Sequence, residues 1–127
     1  MSITPERIVL RDLFGPHQDF ASLPWAPFHP GVEVLRLYGG PESADPLGPS
    51  AALLCYAPGA RIPHHSHPGY EHIVVLRGSQ RDEQGRYGEG TCLIHGRDTG
   101  HTVASDEGCV VLAIWNAPVR FVPRSTS

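Results

Sequence analysis

The sequence contains no lysine: all ten of its basic residues are arginines, spread from Arg7 to Arg124 without a cluster, and the formal net charge is −3. Such a chain lacks the basic stripe with which nucleic-acid binders and electrostatically held membrane proteins meet phosphate, so neither partner is expected. The opening of a signal peptide is also missing, because Met1 to Leu10 already carries Pro5, Glu6 and Arg7. No apolar run approaches the length that spans a bilayer, and a cytoplasmic location is the expectation. Cysteine is sparse. Cys55, Cys92 and Cys109 are odd in number and form no C-x-x-C, which speaks against a disulfide framework and against a thiolate zinc knot. Each sits in an apolar, strand-like run and reads as a small buried hydrophobe. No convincing helix, low-complexity tract or interdomain linker is visible.

What the chain does have is 14 glycines and 13 prolines among 127 residues, with 40% hydrophobic and 18% charged residues. That composition describes a globular chain of many short elements joined by turns, and it favours an all-β architecture. The length suits a single domain over residues 1–127, with N-terminal strands and an irregular arm over 1–48 and a barrel over 49–123. Strands are expected at Ile8–Leu13, Val32–Tyr38, Ser50–Ala57, Arg61–His67, Tyr70–Glu83, Thr91–His95, His101–Ala104 and Cys109–Trp115, and a polar tail from Arg120 to Ser127. The prolines of Leu23–Pro30 keep that segment out of a helix or a central ladder. It is expected along the barrel surface or against a second subunit, with Trp25 and Phe28 as anchors. Ser50–Ala57 is apolar on both faces, as a strand between two packed layers would be.

The most informative stretch is Gly59–Gly78. Alternation along a strand puts His65 and His67 on one face, and Pro68-Gly69 can turn the chain back so that Glu71 lies on the returning arm of a hairpin. Two imidazoles and a carboxylate leave a metal ion short of donors, and His101 is the candidate for the remaining one. His64 and His72 have the opposite parity to their neighbours. His95 reads as an ordinary strand histidine or as a supporting partner of the site, and His17 and His29 receive no role. Tyr56 and Trp115 lie on strands that can line a barrel, and Arg61 and Tyr70 read as rim residues.

These residues resemble the cupin superfamily. Gly59, His65, His67, Glu71 and Gly78 match every fixed position of the first cupin motif, G-x5-H-x-H-x3,4-E-x6-G. In the second motif, G-x5-P-x-G-x2-H-x3-N, Gly90 and His101 match, whereas Gly96, Asp98 and Ser105 replace the proline, glycine and asparagine. Within the cupins the run from His65 to Cys109 looks most like the ChrR-type cupin-like domain, a group that also includes acetylacetone-dioxygenase-like proteins. The resemblance implies a jelly-roll β-barrel, often a homodimer, with one divalent metal (Zn, Fe(II), Mn, Ni or Cu) held by His65, His67, Glu71 and His101 and a small-molecule ligand or substrate in the barrel. Two functions follow from it. One is an iron(II)-dependent dioxygenase of a small carbon compound, although the dioxygenase relatives rely on three histidines and Glu71 departs from that pattern. The other is a non-enzymatic zinc-binding sensory or regulatory module. Anti-sigma factors of the ChrR type carry a separate helical domain with a C-x-x-C zinc site, which this chain lacks, so a sigma factor is not expected as a partner. A metal-free isomerase or sugar-binding cupin is disfavoured by the retained ligands. Whether the protein is an enzyme, and which residues would be catalytic, is left open by the sequence.

Overall fold

Alternation of apolar residues with period two governs the chain, and in the computed structural model, which describes residues 6–121, it builds ten strands: β1 (Ala26–His29), β2 (Val32–Tyr38), β3 (Ser50–Tyr56), β4 (Arg61–His67), β5 (Glu71–Asp82), β6 (Gly85–Gly88), β7 (Cys92–His95), β8 (Thr99–Ala104), β9 (Cys109–Trp115) and β10 (Arg120–Phe121). A single 3-10 turn, Phe20–Ser22, is the only helical element among the described residues. The strands run in the order β1-β2-β3-β9-β5-β8-β4-β10, and β6 and β7 also pair with β5. The architecture is the jelly-roll barrel of the cupins, in which one sheet curls over the other. Among the described residues no helix is long and apolar enough to cross a membrane.

The twelve-residue β5 serves both sheets. Its first half pairs with β7 and β9, and its second half pairs with β6 and touches β8. A register shift between Val75 and Arg77 marks the bend. There the extra residue of a β-bulge lets a strand turn the corner of a barrel. A second bulge interrupts the β4–β8 ladder between Ile62 and His65, and Pro63, which has no N–H to offer a ladder, sits inside it.

Two apolar clusters flank the first sheet. The barrel interior holds Val34, Leu54, Ile62, Ile73, Val103 and Val111 with their neighbours. On the outer face Phe20, Leu53, Leu76 and Val110 are buried, and Leu13, Leu23 and Trp25 pack over them. The expected burial of both faces of β3 is therefore present, but the N-terminal segment rather than a second sheet supplies the outer cover. Arg77 pins that segment down. Its guanidinium lies 4.7 Å from the Phe20 ring centroid and donates hydrogen bonds to Gln18 O at 3.0 Å and Gly15 O at 3.4 Å. The Arg77→Ala variant is expected to lose about 1.5–3 kcal/mol of stability, the range of a charge-assisted hydrogen bond. Limited proteolysis should then cut within residues 13–25 before the barrel; unchanged protection there would contradict the clamp.

Several expectations are corrected. Residues 8–13 form no strand, because Ile8, Val9 and Leu10 are exposed and have no ladder to join. Ala26–His29 does form a strand, at the sheet edge where Pro27 is tolerated. The two ends of the Gly59–Gly78 stretch are not a hairpin: β4 pairs with β8 and β10, whereas β5 begins in the opposite sheet, so Pro68-Gly69 is a crossing between sheets. Cys109 is buried and Cys55 half-buried, but Cys92 is exposed. Of the expected polar tail, Arg120 and Phe121 instead pair with Ser66 and His65, and the remainder lies outside the described residues.

Candidate metal centre

The bulge in β4 decides which side chains enter the barrel. Strict alternation would send Ile62 and His65 to opposite faces; with the extra residue both point inward, as does His67, while His64 is exposed. His101 stands directly across the ladder from His65. Glu71 opens β5 on the facing sheet. The four side chains His65, His67, Glu71 and His101 are all buried, and each offers a ligand atom within 4.8 Å of the others.

Hydrogen bonding sets the tautomers of the three imidazoles. His65 Nδ1 lies 2.9 Å from the Pro63 carbonyl oxygen and His101 Nδ1 lies 3.2 Å from Asp82 Oδ2. Both partners only accept, so both Nδ1 atoms carry the proton. His67 Nδ1 is 3.0 Å from Thr99 Oγ1, whose own proton goes to Gly96 O at 2.6 Å, so this Nδ1 also donates. Each Nε2 is left with a lone pair. Glu71 Oε2 accepts a bond from Trp115 Nε1 at 2.6 Å, which turns Oε1 toward the histidines. That oxygen lies 3.1 Å from His67 Nε2 and 3.6 Å from His101 Nε2. Neither approach is aligned as a hydrogen bond, and Glu71 Oε1, His67 Nε2 and His101 Nε2 are all buried without a partner.

Burial holds the His65 ring down to a pKa of about 4, mainly by desolvating its charged form. Burial works in the opposite direction on Glu71, but His67 and His101, when they carry a proton on Nε2, and the Trp115 N–H bring its pKa below the ordinary carboxylate value. Lone pairs facing one buried point with no proton donor among them describe a cation site.

The family model of the ChrR cupin-like domain matches residues 16–119. The chain belongs to this family. The anti-sigma-E factor ChrR of Cereibacter sphaeroides is 39% identical over 77 residues, which are 58% of this chain and 36% of that protein. The cupin thus spans about a third of the length of this curated relative. Among solved structures, Rhodobacter sphaeroides SigE in complex with the anti-sigma ChrR is matched with a TM-score of 0.64 and 30% identity, over 76% of this chain and 50% of that one. A putative acetylacetone dioxygenase from Methylibium petroleiphilum shares the fold at a TM-score of 0.73 and 17% identity, over 100% of this chain and 88% of that one. The expectation that a sigma factor is an improbable partner is overturned by the first of these structures, in which a relative of this cupin is seen with one. The match covers only half of that chain, so the lack of a C-x-x-C in this sequence does not bear on the partner.

Three supporting residues of the cupin site escaped the sequence reading. Trp115 was legible as a barrel-lining aromatic but not as the donor that orients Glu71. Thr99 lies in what reads as a loop, yet it belongs to β8. Asp82 orients His101 and also accepts bonds from Tyr87 Oη at 3.1 Å and Gln84 N at 2.9 Å. Burial pushes the Asp82 pKa up, but these bonds and that from His101 outweigh it and keep the carboxyl ionised. No parity count from Glu71 could find it, because eleven residues along an unbroken strand place a side chain on the opposite face and the Val75–Arg77 bulge reverses that. His95, which the sequence offers either as an ordinary strand histidine or as a supporting partner, lies beside the cluster with its Nε2 4.0 Å from Glu71 Oε1.

Of the departures from the second cupin motif, Asp98, which stands where the motif has glycine, has φ +64°, a conformation aspartate tolerates better than most residues. Its N–H donates to His67 O at 2.8 Å, holding the loop against the site. Arg61 and Tyr70 line neither cavity described below.

The Asp82→Asn variant is expected to fold and to lose metal affinity by about 10- to 100-fold, the usual cost of removing a carboxylate behind a ligating histidine. Chelator competition measures it, and wild-type affinity would contradict the role.

Proposed function

We propose that this cupin holds one divalent cation through His65, His67, Glu71 and His101 and is an iron(II)-dependent dioxygenase of a small carbon compound. The observation that carries the metal is the set of buried lone pairs turned to one point with every Nδ1 already committed elsewhere. Three imidazoles and a carboxylate suit Zn, Fe(II), Mn, Ni or Cu, and a bound iron would supply a redox-active Lewis acid.

The enzymatic part rests on the adjoining chamber. A small cavity of about 30 Å³ borders His65, Glu71 and His101 and is walled by apolar side chains including Phe28, Leu54, Ile73 and Phe121. The chemistry of these walls suits a compact, mostly apolar group, which would have to widen the cavity to enter. Tyr56 and Gln80 are its polar features, with Gln80 Nε2 3.5 Å from Tyr56 Oη. Burial raises the Tyr56 pKa well above its ordinary value, so its hydroxyl keeps a proton to donate to a ligand oxygen.

A second reading is favoured by the 39% identity to an anti-sigma-E factor: a zinc-binding regulatory module with a sigma factor as partner. Elemental analysis of protein purified without added metal separates the two. Stoichiometric iron with oxygen uptake on a panel of small dicarbonyl compounds supports the first. Stoichiometric zinc, no uptake, and capture of a sigma factor support the second. Protein that neither retains nor takes up a divalent metal overturns both.

A further inference from the structure

A second set of donors lies beside the buried cluster. Asp82, His95 and His101 each offer a ligand atom within 4.8 Å of the others, and His95 does not belong to the buried set of four. These three border a polar recess of about 200 Å³, whose lining includes the exposed Glu83 and Gly100 and, among the described residues, no arginine. His95 ends β7, directly across the ladder from Glu71. Its Nε2 is out of solvent, makes no hydrogen bond, and stands 4.0 Å from Glu71 Oε1, at the boundary between the recess and the buried cluster. The cavity on the other side of the cluster is smaller, about 30 Å³, and its walls are mostly hydrocarbon. A hydrated cation therefore meets carboxylates at the recess and apolar walls at the chamber. Stripping its waters is costly unless protein donors replace them.

We propose that Asp82, His95 and His101 form a loading site, through which a divalent cation passes from the recess to its resting position among His65, His67, Glu71 and His101; the inference rests on the metal reading above. His101 belongs to both sets. Its Nδ1 proton goes to Asp82 Oδ2, 3.2 Å away, which leaves it a single lone pair, on Nε2. One lone pair serves one ion, so the two positions are filled in turn rather than together. In the hand-over Asp82 and His95 give way to His65, His67 and Glu71 while His101 stays bound, and at no point is the ion without protein donors. His95 is the member of the loading set that isolates this step, because Asp82 also orients His101 and His101 also holds the resting ion.

The test follows Co(II) uptake by the full chain freed of metal, and its release to a chelator, in wild type and in His95→Ala. A loading site is passed in both directions. The expected result is that both rates fall together, on the order of 10-fold, the scale of losing one group that supports a metal, while the dissociation constant and the visible spectrum of bound Co(II) keep their wild-type values. Removing the ring also widens the recess, which by itself speeds entry, so unchanged or faster uptake overturns the proposal. Weaker equilibrium binding with uptake at the wild-type rate overturns it as well, since His95 would then support the resting ion instead. Two Co(II) bound per wild-type chain would show both positions filled at once and overturn the hand-over. His95→Gln, which keeps most of the side-chain volume and puts a weakly donating amide in place of the imidazole, carries the same reading should the alanine variant fail to fold by circular dichroism. Wild-type protein that binds no Co(II) would instead overturn the metal reading itself.

Discussion

The His67→Ala variant is expected to purify without stoichiometric metal and to bind added divalent ions at least about 1,000-fold more weakly than wild type, a loss of roughly 4 kcal/mol. His67 is the most buried of the four candidate ligands, with 1% of its surface exposed, so no water-filled route lets another side chain replace it. Its Nε2 makes the shortest approach to Glu71 Oε1, 3.1 Å, and its Nδ1 is fixed by Thr99. Removing the ring takes away one imidazole donor and opens a void beside the two remaining imidazoles and the carboxylate, which loosens the geometry on which metal affinity depends. The matched control is His64→Ala, three positions away on the outer face, which should keep wild-type metal content. Elemental analysis and chelator competition read both variants. Wild-type metal in His67→Ala would place the ion elsewhere.

The second large effect concerns the fold. Gly78 has φ +73°, and a Cβ there would lie 2.1 Å from the Gly108 carbonyl oxygen and 3.0 Å from Cys109 Cα. Those are backbone atoms of the neighbouring strand and cannot rotate away. Gly78→Ala is therefore expected to cost about 3 kcal/mol or more, combining left-handed backbone strain with a clash at the bend of β5. Gly90→Ala separates the two contributions. That glycine has φ +87° but nothing within 4 Å of the added methyl group, so it should lose only about 1 kcal/mol. Urea midpoints at unchanged m-value measure both. Equal losses would mean that the contact with β9 is not what requires glycine at position 78.

Much of the site was legible before any coordinates because its signals are local. His65 and His67 alternate onto one face within a single strand, and Glu71 and Gly78 follow at fixed offsets. The strands β2, β4 and β9 were readable for the same reason, since Val32–Tyr38, Arg61–His67 and Cys109–Trp115 are bounded by glycine or turn residues. Strands that depend on a partner were less visible. Arg120–Phe121 has no pattern of its own and exists because β4 offers an edge. Ile8–Leu13 has the composition of a strand and is not one.

The sequence alone determined the all-β class, the cupin motifs and the candidate ligand positions, because period-two alternation and turn chemistry act over a few residues. Only the tertiary structure decided that β5 begins in the sheet opposite β4, that Asp82 and Trp115 stand behind His101 and Glu71, and that His95 lies beside the cluster. Each of these depends on cross-strand register or on the bulges at Ile62–His65 and Val75–Arg77. One inserted residue reverses which face every later side chain takes, and that insertion is fixed by the pairing partner rather than by the strand's own residues.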